Sequence, residues 1–511
     1  MEPAFSTPAA VPPAPPASPP VSVESSGSPT SAESPPNAAA PPYPSQRPGA
    51  PAAVPYSAPR PQNGQLSRKA RRWEKFKRKK QLQREAAAAG GGGTWTPGEA
   101  AGTAPAAEAP TGDGPEPGPR PWQQDRFQKS PRPPKPEPVL GPPEDTAGLL
   151  EISPKGFGFL RLKEKNFAQS PTDTFVTPEM VRKYGLRDGV WIDGVVRRSH
   201  RGPQLTELKM VNGFAPDQYR QLPIFEELTA INPNKRYVLE TDAKHHTTRL
   251  VDMVAPIGRG QRGLIVAAPR AGKTTFLEHM AQAILHNYES VKLIVLLVDE
   301  RPEEVTELSR ALPGAEIMAC SNDQDPRAHI RMAELAIERA KRLVEAGEHV
   351  FMLMDSITRL ARAFNNVIRG GGKAMSGGID SRALEMPRKI FAAARNTREA
   401  GSLTIIATAL IDTNQKGDDL IFQEFKGTGN MELVLDRKIA QQYIYPAVDI
   451  FKSGTRREEL LLPPYQLEKI NVIRRGLAGH KPAEAMERML HFLDRFKSNA
   501  ELLTNIATSK G

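Results

Sequence analysis

Cysteine is almost absent. Cys320 stands alone in a chain of 511 residues, which excludes a disulfide framework and any zinc site built from several thiolates. Long apolar runs are also missing. The longest, Leu293 to Val298, is strand-sized, whereas a membrane-spanning helix needs about 18 such residues or more. The opening MEPAFSTPAA has neither the basic nor the apolar region of a secretory signal. These absences point to a soluble chain in a reducing compartment, expected to be cytoplasmic, with no membrane partner.

Proline is scarce only in one part of the chain. Of 50 prolines, 33 fall between Pro3 and Pro143 and 17 in the 368 residues that follow. Proline mixed with Ala, Gly and Ser buries too little apolar surface to offset chain entropy. Residues 1–145 therefore read as a disordered low-complexity arm, and residues 146–511 as one small and one large folded domain. The net charge of +11 is just as uneven. Arg68 to Lys80, RKARRWEKFKRKK, carries nine basic residues and one acid, so +8 of the total sits in thirteen residues. A basic tract holding Trp73 and Phe76 suits nonspecific contact with nucleic-acid phosphates and bases, or simply a solvated tail.

Past Thr146 the pattern changes twice. Short alternating apolar stretches broken by Pro and Gly fill 146–213, as in GLLEISPKGFGFLRLKEKNF and VWIDGVV, and predict a small β-barrel. A proline-bearing connector follows at 214–236. From Tyr237 onward apolar strands alternate with amphipathic helical stretches: GLIVAA then 273–287, VKLIVLLVD then 303–311, HVFMLMD then 356–368, and SLTIIATAL. This order predicts an α/β domain over 237–511 with a mostly parallel sheet. Residues 483–508 read as a closing helix.

The chemistry gathers on that second domain. Ala267-Ala268-Pro269-Arg270-Ala271-Gly272-Lys273-Thr274 follows the strand Leu264-Ile265-Val266 and is one glycine short of a P-loop. Such a loop wraps backbone N–H groups around phosphate at a helix N-terminus. Lys273 would reach the β- and γ-phosphates, and Thr274 a Mg²⁺ ion. Two strands end in acids: Val350–Met354 in Asp355, placed for magnesium, and Leu293–Val298 in Asp299-Glu300-Arg301. Glu300 is placed to polarise an attacking water, although both acids could instead cap the helix near Pro302. Together these features predict ATP hydrolysis with Mg²⁺. Arg456, in the loop SGTRR, is a candidate arginine finger acting on a neighbouring subunit's nucleotide.

Nucleic-acid contact has its own signature. GFGFLR at 156–161 is similar to an RNP1 core, with Phe157 and Phe159 on one strand face and Arg161 following; both rings could alternatively fill the barrel. Two loops, 370–378 and 413–417, each carry one lysine, Lys373 and Lys416, and suit contacts to a moving backbone.

The succession GFGFLR, VAAPRAGKT, VLLVDERPEEVTE, DSITRLARAFN, SLTIIATALIDT, QEFKGTGNMEL and SGTRREELLLP resembles the Rho family of transcription termination factors over about residues 146–511. The resemblance implies a RecA-like P-loop ATPase domain behind an OB-fold-like barrel, assembled as a homohexamer. It also implies an RNA-dependent ATPase and helicase that loads on cytosine-rich single-stranded RNA and acts on the RNA polymerase elongation complex. On that basis Pro269, Arg270, Ala271, Gly272, Lys273, Thr274 and Thr275 contact nucleotide, and Tyr445 packs on adenine. Asp355 is the magnesium acid, Glu300 the catalytic carboxylate and Arg456 the finger. Phe157, Phe159, Arg161, Asp173 and Phe175 form the primary RNA site, and Lys373 and Lys416 the secondary one. The chain departs from the expected pattern at Ala268, Arg270, Ala374 and Ser376, and at Gln204, where an aromatic residue is expected. A rotary or secretion-type ATPase subunit would share the ATPase core without the barrel, and a non-catalytic RNA-binding regulator would not need Lys273, Glu300 and Asp355.

Overall fold

The computed structural model describes residues 141–199, 202–368 and 378–507. The basic tract 68–80 and Lys373 lie outside the described residues.

Five strands close the first domain into a barrel: β1 (Pro143–Ile152), β2 (Gly158–Arg161), β3 (Thr174–Val176), β4 (Trp191–Ser199) and β5 (Gly202–Val211), in the order β1-β2-β3-β5-β4. Alternation sends Leu150, Leu160, Val176, Ile192, Leu205 and Val211 inward to a dry core. A short helix, Pro178–Tyr184, is capped by Thr177, whose hydroxyl accepts the Met180 N–H at 3.3 Å.

The connector does more than span a gap. Its strand β6 (Ala230–Ile231) pairs with β13 (Arg395–Thr397) at the margin of the large sheet. Strands β7 (Arg236–Tyr237) and β8 (Ile257–Gly258) form a separate small ladder. The main sheet adds β9 (Arg262–Ala267), β10 (Val291–Glu300), β11 (Glu316–Ser321), β12 (His349–Asp355), β14 (Ser402–Leu410), β15 (Met431–Leu435) and β16 (Gly454–Thr455). Its order is β11-β10-β12-β14-β9-β15-β16, parallel except for β16 and the β13–β6 branch. Both faces are covered, so the strands are apolar throughout and each residue's parity decides its side. Ile265, Val295, Leu297 and Leu353 join one core; Leu264, Val266, Leu296, Val298 and Met352 join the other.

The second of these cores also takes Leu149 and Phe167 from the barrel and Phe225 from the connector. The barrel is thus seated on the larger domain by buried side chains. Ion pairs reinforce the seat: Arg187 grips the buried Glu345 at 2.9 and 2.6 Å. The closing helical stretch is two helices, Pro482–Arg495 and Asn499–Asn505, because Ser498 caps the second through the Glu501 N–H at 3.1 Å. No helix among the described residues is long and apolar enough to cross a membrane.

Candidate active site and nucleic-acid interface

The carboxyl ends of β9, β10, β12 and β15 open onto one crevice, where parallel α/β sheets characteristically bind ligands. β9 ends at Ala267, and the chain turns through Arg270 (φ 65°) and Gly272 (φ 85°) into the helix Lys273–Asn287. Pro269, Arg270 and Thr275 are exposed, Gly272 and Thr274 half-buried, and Ala271 buried. The unpaired N–H groups of the helix's first turn therefore face the crevice.

Beneath the loop lies a charge cluster. The Lys273 Nζ stands 2.6 Å from both oxygens of Asp355 and 3.0 Å from Glu300 Oε1. Asp355 and Glu300 are only 2% and 3% exposed. Thr408 donates its hydroxyl to Asp355 Oδ1 at 2.7 Å. Glu300 is aimed inward by a bulge: the β10–β11 register slips between Val298 and Glu300, and Asp299 sits at φ 59°. Arg359, from the helix Ile357–Val367, donates to the Asp299 carbonyl and lies 3.4 Å from Glu300 Oε2. Burial first, then the charge of Asp355, pushes the Glu300 carboxyl above its usual range, against Lys273 and Arg359. Burial alone would depress the Lys273 ammonium, but Asp355 and Glu300 outweigh it and hold the group charged.

The donor set fits a magnesium–nucleotide complex. Asp355 and Thr274 offer hard oxygens, and a magnesium ion held partly by substrate phosphates needs only one or two carboxylates. Among the described residues no group of three or more His, Cys, Asp or Glu is gathered to hold a metal unaided.

Beside the loop is a cavity of about 340 Å³ lined by Gly272, Thr275, Phe276, His245, His279 and Tyr445. Tyr445 is 52% exposed and lies across Gly272: a Cβ built there would meet its ring at 3.8 Å. The histidines lining the cavity, like Arg359 and Thr408, escaped the motif-level reading: His245 and Thr408 come from elements distant in sequence, and His279 and Arg359 lie on helices beyond the motif residues themselves.

Arg456 stands apart from this crevice. It follows β16, where Thr455 pairs with Met431, and Met431 in turn pairs with Gly263 at the start of β9. The phosphate loop leaves the other end of β9, four residues or about 13 Å away. Arg456 is exposed.

On the barrel, Phe157, Phe159 and Phe175 form a triangle with ring centroids 5.6–5.7 Å apart. All three are half-buried and absent from the barrel core, so they present an aromatic platform rather than internal packing. Phe159 pairs across the ladder with Phe175, and Phe175 with Gln204. Arg161 does not sit on the open face. It is 6% exposed, with its guanidinium 5.1 Å from the Phe159 ring centroid, and it is bonded to Glu151 at 2.6 Å and to Asp173. Asp173 Oδ2 also accepts the Ser170 N–H at 2.7 Å, while its Oδ1 is buried without a hydrogen-bond partner among the described residues.

Lys416 opens the helix Lys416–Lys426 and is exposed. It lines a cavity of about 390 Å³ with Arg362, Asn365, Gly378 and Asp418. Gly378 is the one described residue of the 370–378 loop, and it shares this cavity with Lys416. Arg362 ties the helix Ile357–Val367 to Asp418, with Nε 2.9 Å from Oδ1.

Comparison with known proteins agrees with this two-part construction. Residues 146–217 match the Rho termination factor RNA-binding domain, and residues 247–455 match the nucleotide-binding domain of the ATP synthase alpha/beta family. Transcription termination factor Rho of Aquifex aeolicus is 49% identical over 362 residues, covering 70% of this chain and 83% of that protein. The factor of the same name from Cereibacter sphaeroides is 47% identical over 367 residues, or 71% and 87% of the two chains. That of Haemophilus influenzae is 47% identical over 360 residues, or 69% and 86%. Identity at this level over the barrel and the ATPase core together means that the chain belongs to the Rho family of transcription termination factors.

Proposed function

We infer that this protein is an RNA-dependent ATPase and helicase that binds nascent RNA and terminates transcription. The observation that carries this reading is the coexistence, in one chain, of a half-buried phenylalanine triangle outside the barrel core and a strand-end lysine–acid cluster. Stacking aromatics with nearby positive charge bind single-stranded nucleic acid. A lysine at a helix N-terminus flanked by two strand-end acids performs phosphoryl chemistry on ATP.

In hydrolysis, Lys273 leaves the acid pair for the β- and γ-phosphates, and the loop N–H groups hold the phosphate chain. Glu300, freed from Lys273, accepts a proton from the attacking water. Asp355 and Thr274 would hold Mg²⁺, which supplies charge neutralisation on the phosphates. Tyr445 stacks on the base. Arg456 completes a neighbour's site, because its own phosphate loop lies at the other end of β9. That separation supports a ring of identical subunits, taken as a homohexamer.

Cytosine preference rests on Asp173. A buried acceptor with no donor, beside a stacking platform, suits the exocyclic amine of cytosine and repels the carbonyl that uracil carries there. Lys416 and Lys373 contact the RNA backbone in the ring's channel. The working partner is the RNA polymerase elongation complex, in the cytoplasm.

ATP hydrolysis with and without poly(C), with single-stranded DNA and Lys273→Ala as controls, tests the whole reading. Strong stimulation by RNA, abolished in the variant, is expected. RNA-independent hydrolysis would favour a rotary or secretion-type motor, and RNA binding without hydrolysis would leave a regulator.

A further inference from the structure

The loop between β2 and β3 carries the base-reading acid Asp173 at one end and is fastened to the ATPase domain in the middle. Asn166 makes a reciprocal pair with the main chain of Ala319, donating to its carbonyl at 2.8 Å and accepting its N–H at 3.0 Å. Phe167 is fully buried in the ATPase core. Ala319 belongs to β11, and β11 pairs with β10, where Ser321 lies opposite Glu300. A second connection is ionic. Asp173 holds Arg161, Arg161 holds Glu151, and Glu151 is gripped by both arms of Arg331, Nε to Oε1 at 2.7 Å and Nη2 to Oε2 at 2.6 Å. The same Arg331 Nη2 donates to the Phe167 carbonyl at 2.8 Å. Arg331 lies on the helix Pro326–Glu345, which packs on the helix bearing Arg359.

We propose that Arg331 is a positioning residue that couples the aromatic RNA platform to the nucleotide site, through Glu151, Arg161 and Asp173 on one side and the seated Asn166–Phe167 segment on the other. This rests on the function proposed above. Arg331 touches neither base nor nucleotide. The member of this chain of contacts nearest the platform is Asp173, whose enclosed carboxylate has Oδ1 without a partner among the described residues and Oδ2 held by Arg161 and the Ser170 N–H. Any change in Arg161 is passed to Glu151, whose other short bonds are to Arg331, with Gln169 Nε2 more distant at 3.5 Å. A bidentate arginine transmits position as well as charge, which a lysine does not.

Coupling between two sites is a reciprocal change in affinity, so it can be measured without turnover. The affinity of the full-length protein for a fluorescent ADP analogue is determined with and without saturating short oligo(C), and the affinity for oligo(C) with and without ADP. The unaltered protein should show a change of about fivefold or more, equal in both directions. Arg331→Gln should reduce that factor to below about twofold while leaving each ligand's separate affinity unchanged. Arg331→Lys should fall between, and should carry the test if the glutamine variant does not fold. Full coupling in both variants overturns the proposal. Lost coupling accompanied by lost oligo(C) affinity also overturns it, since Arg331 would then merely support the platform. If the unaltered protein binds both ligands and hydrolyses ATP with RNA but shows no coupling, this inference alone fails. If it neither binds oligo(C) nor responds to RNA, the functional reading fails with it.

Discussion

Lys273 and Arg161 hold the same electrostatic position in two unrelated folds, each a base between two largely buried acids. Lys273 sits between Glu300 and Asp355, and Arg161 between Glu151 and Asp173. The difference lies in what each base can do next. A lysine ammonium is a compact charge on a flexible stem, able to move from carboxylate to phosphate. An arginine guanidinium is a planar fork whose several bonds fix its place, here under the Phe159 ring. The first arrangement leaves its cation free to change partners, and the second fixes its cation by several directed bonds. Burying such groups costs stability unless each is paired, and in the second cluster one acceptor, Asp173 Oδ1, is left without a partner among the described residues.

The sharpest way to break the comparison is at the site Lys273 serves. Arg456→Ala should lower the RNA-stimulated rate by about 10³-fold, the usual worth of an arginine finger, with ADP affinity nearly unchanged. Mixing Arg456→Ala with Lys273→Ala subunits, each inactive alone, should restore measurable hydrolysis if the finger works in trans. No recovery in verified mixed rings would place Arg456 outside the reaction.

At the barrel, Asp173→Asn should relax discrimination between poly(C) and poly(U) by about 1–3 kcal/mol, the worth of one specific base contact. Competition binding measures this. A uniform loss on both polymers would show Asp173 to be a support for Arg161 alone. A milder effect concerns acid. The Glu300 carboxyl lies above its ordinary value of 4.5, through burial and the Asp355 charge, and a general base works only when ionised. Hydrolysis should therefore fall on the acid side with an apparent pKa above that of an ordinary glutamate. A profile flat down to the ordinary range would remove Glu300 from the role of base.

Much of the ATPase domain was legible because its strands are continuous apolar runs ending in acids or in the phosphate loop. The 273–287 helix matches the expected span, since a loop with Gly272 starts it and the apolar face continues to Ile284. Strand β11 was not legible: its apolar run is only the four residues Ile317–Cys320, between Glu316 and Ser321. Nor was the helix Pro464–Leu477 singled out, since few of its side chains are buried. At the site, single residues at strand ends could be picked out, but their neighbours could not. Arg331 and Glu151 are 180 residues apart, and no local pattern foretells their meeting. Alternation alone puts Arg161 on the platform's open face; two acids draw it beneath the rings.

Phe167 has a consequence for how such proteins can diversify. Although it belongs to the barrel's stretch of sequence, it fills a place in the ATPase core, and Asn166 occupies main-chain bonds of the edge strand β11. The two folds are therefore not interchangeable cassettes. A barrel transplanted from a distant relative must bring a matching plug, or leave a hole where a phenylalanine was and an unpaired strand edge beside it. The three rings lie outside that core, while the loop between the strands that carry two of them answers to the packing of another domain.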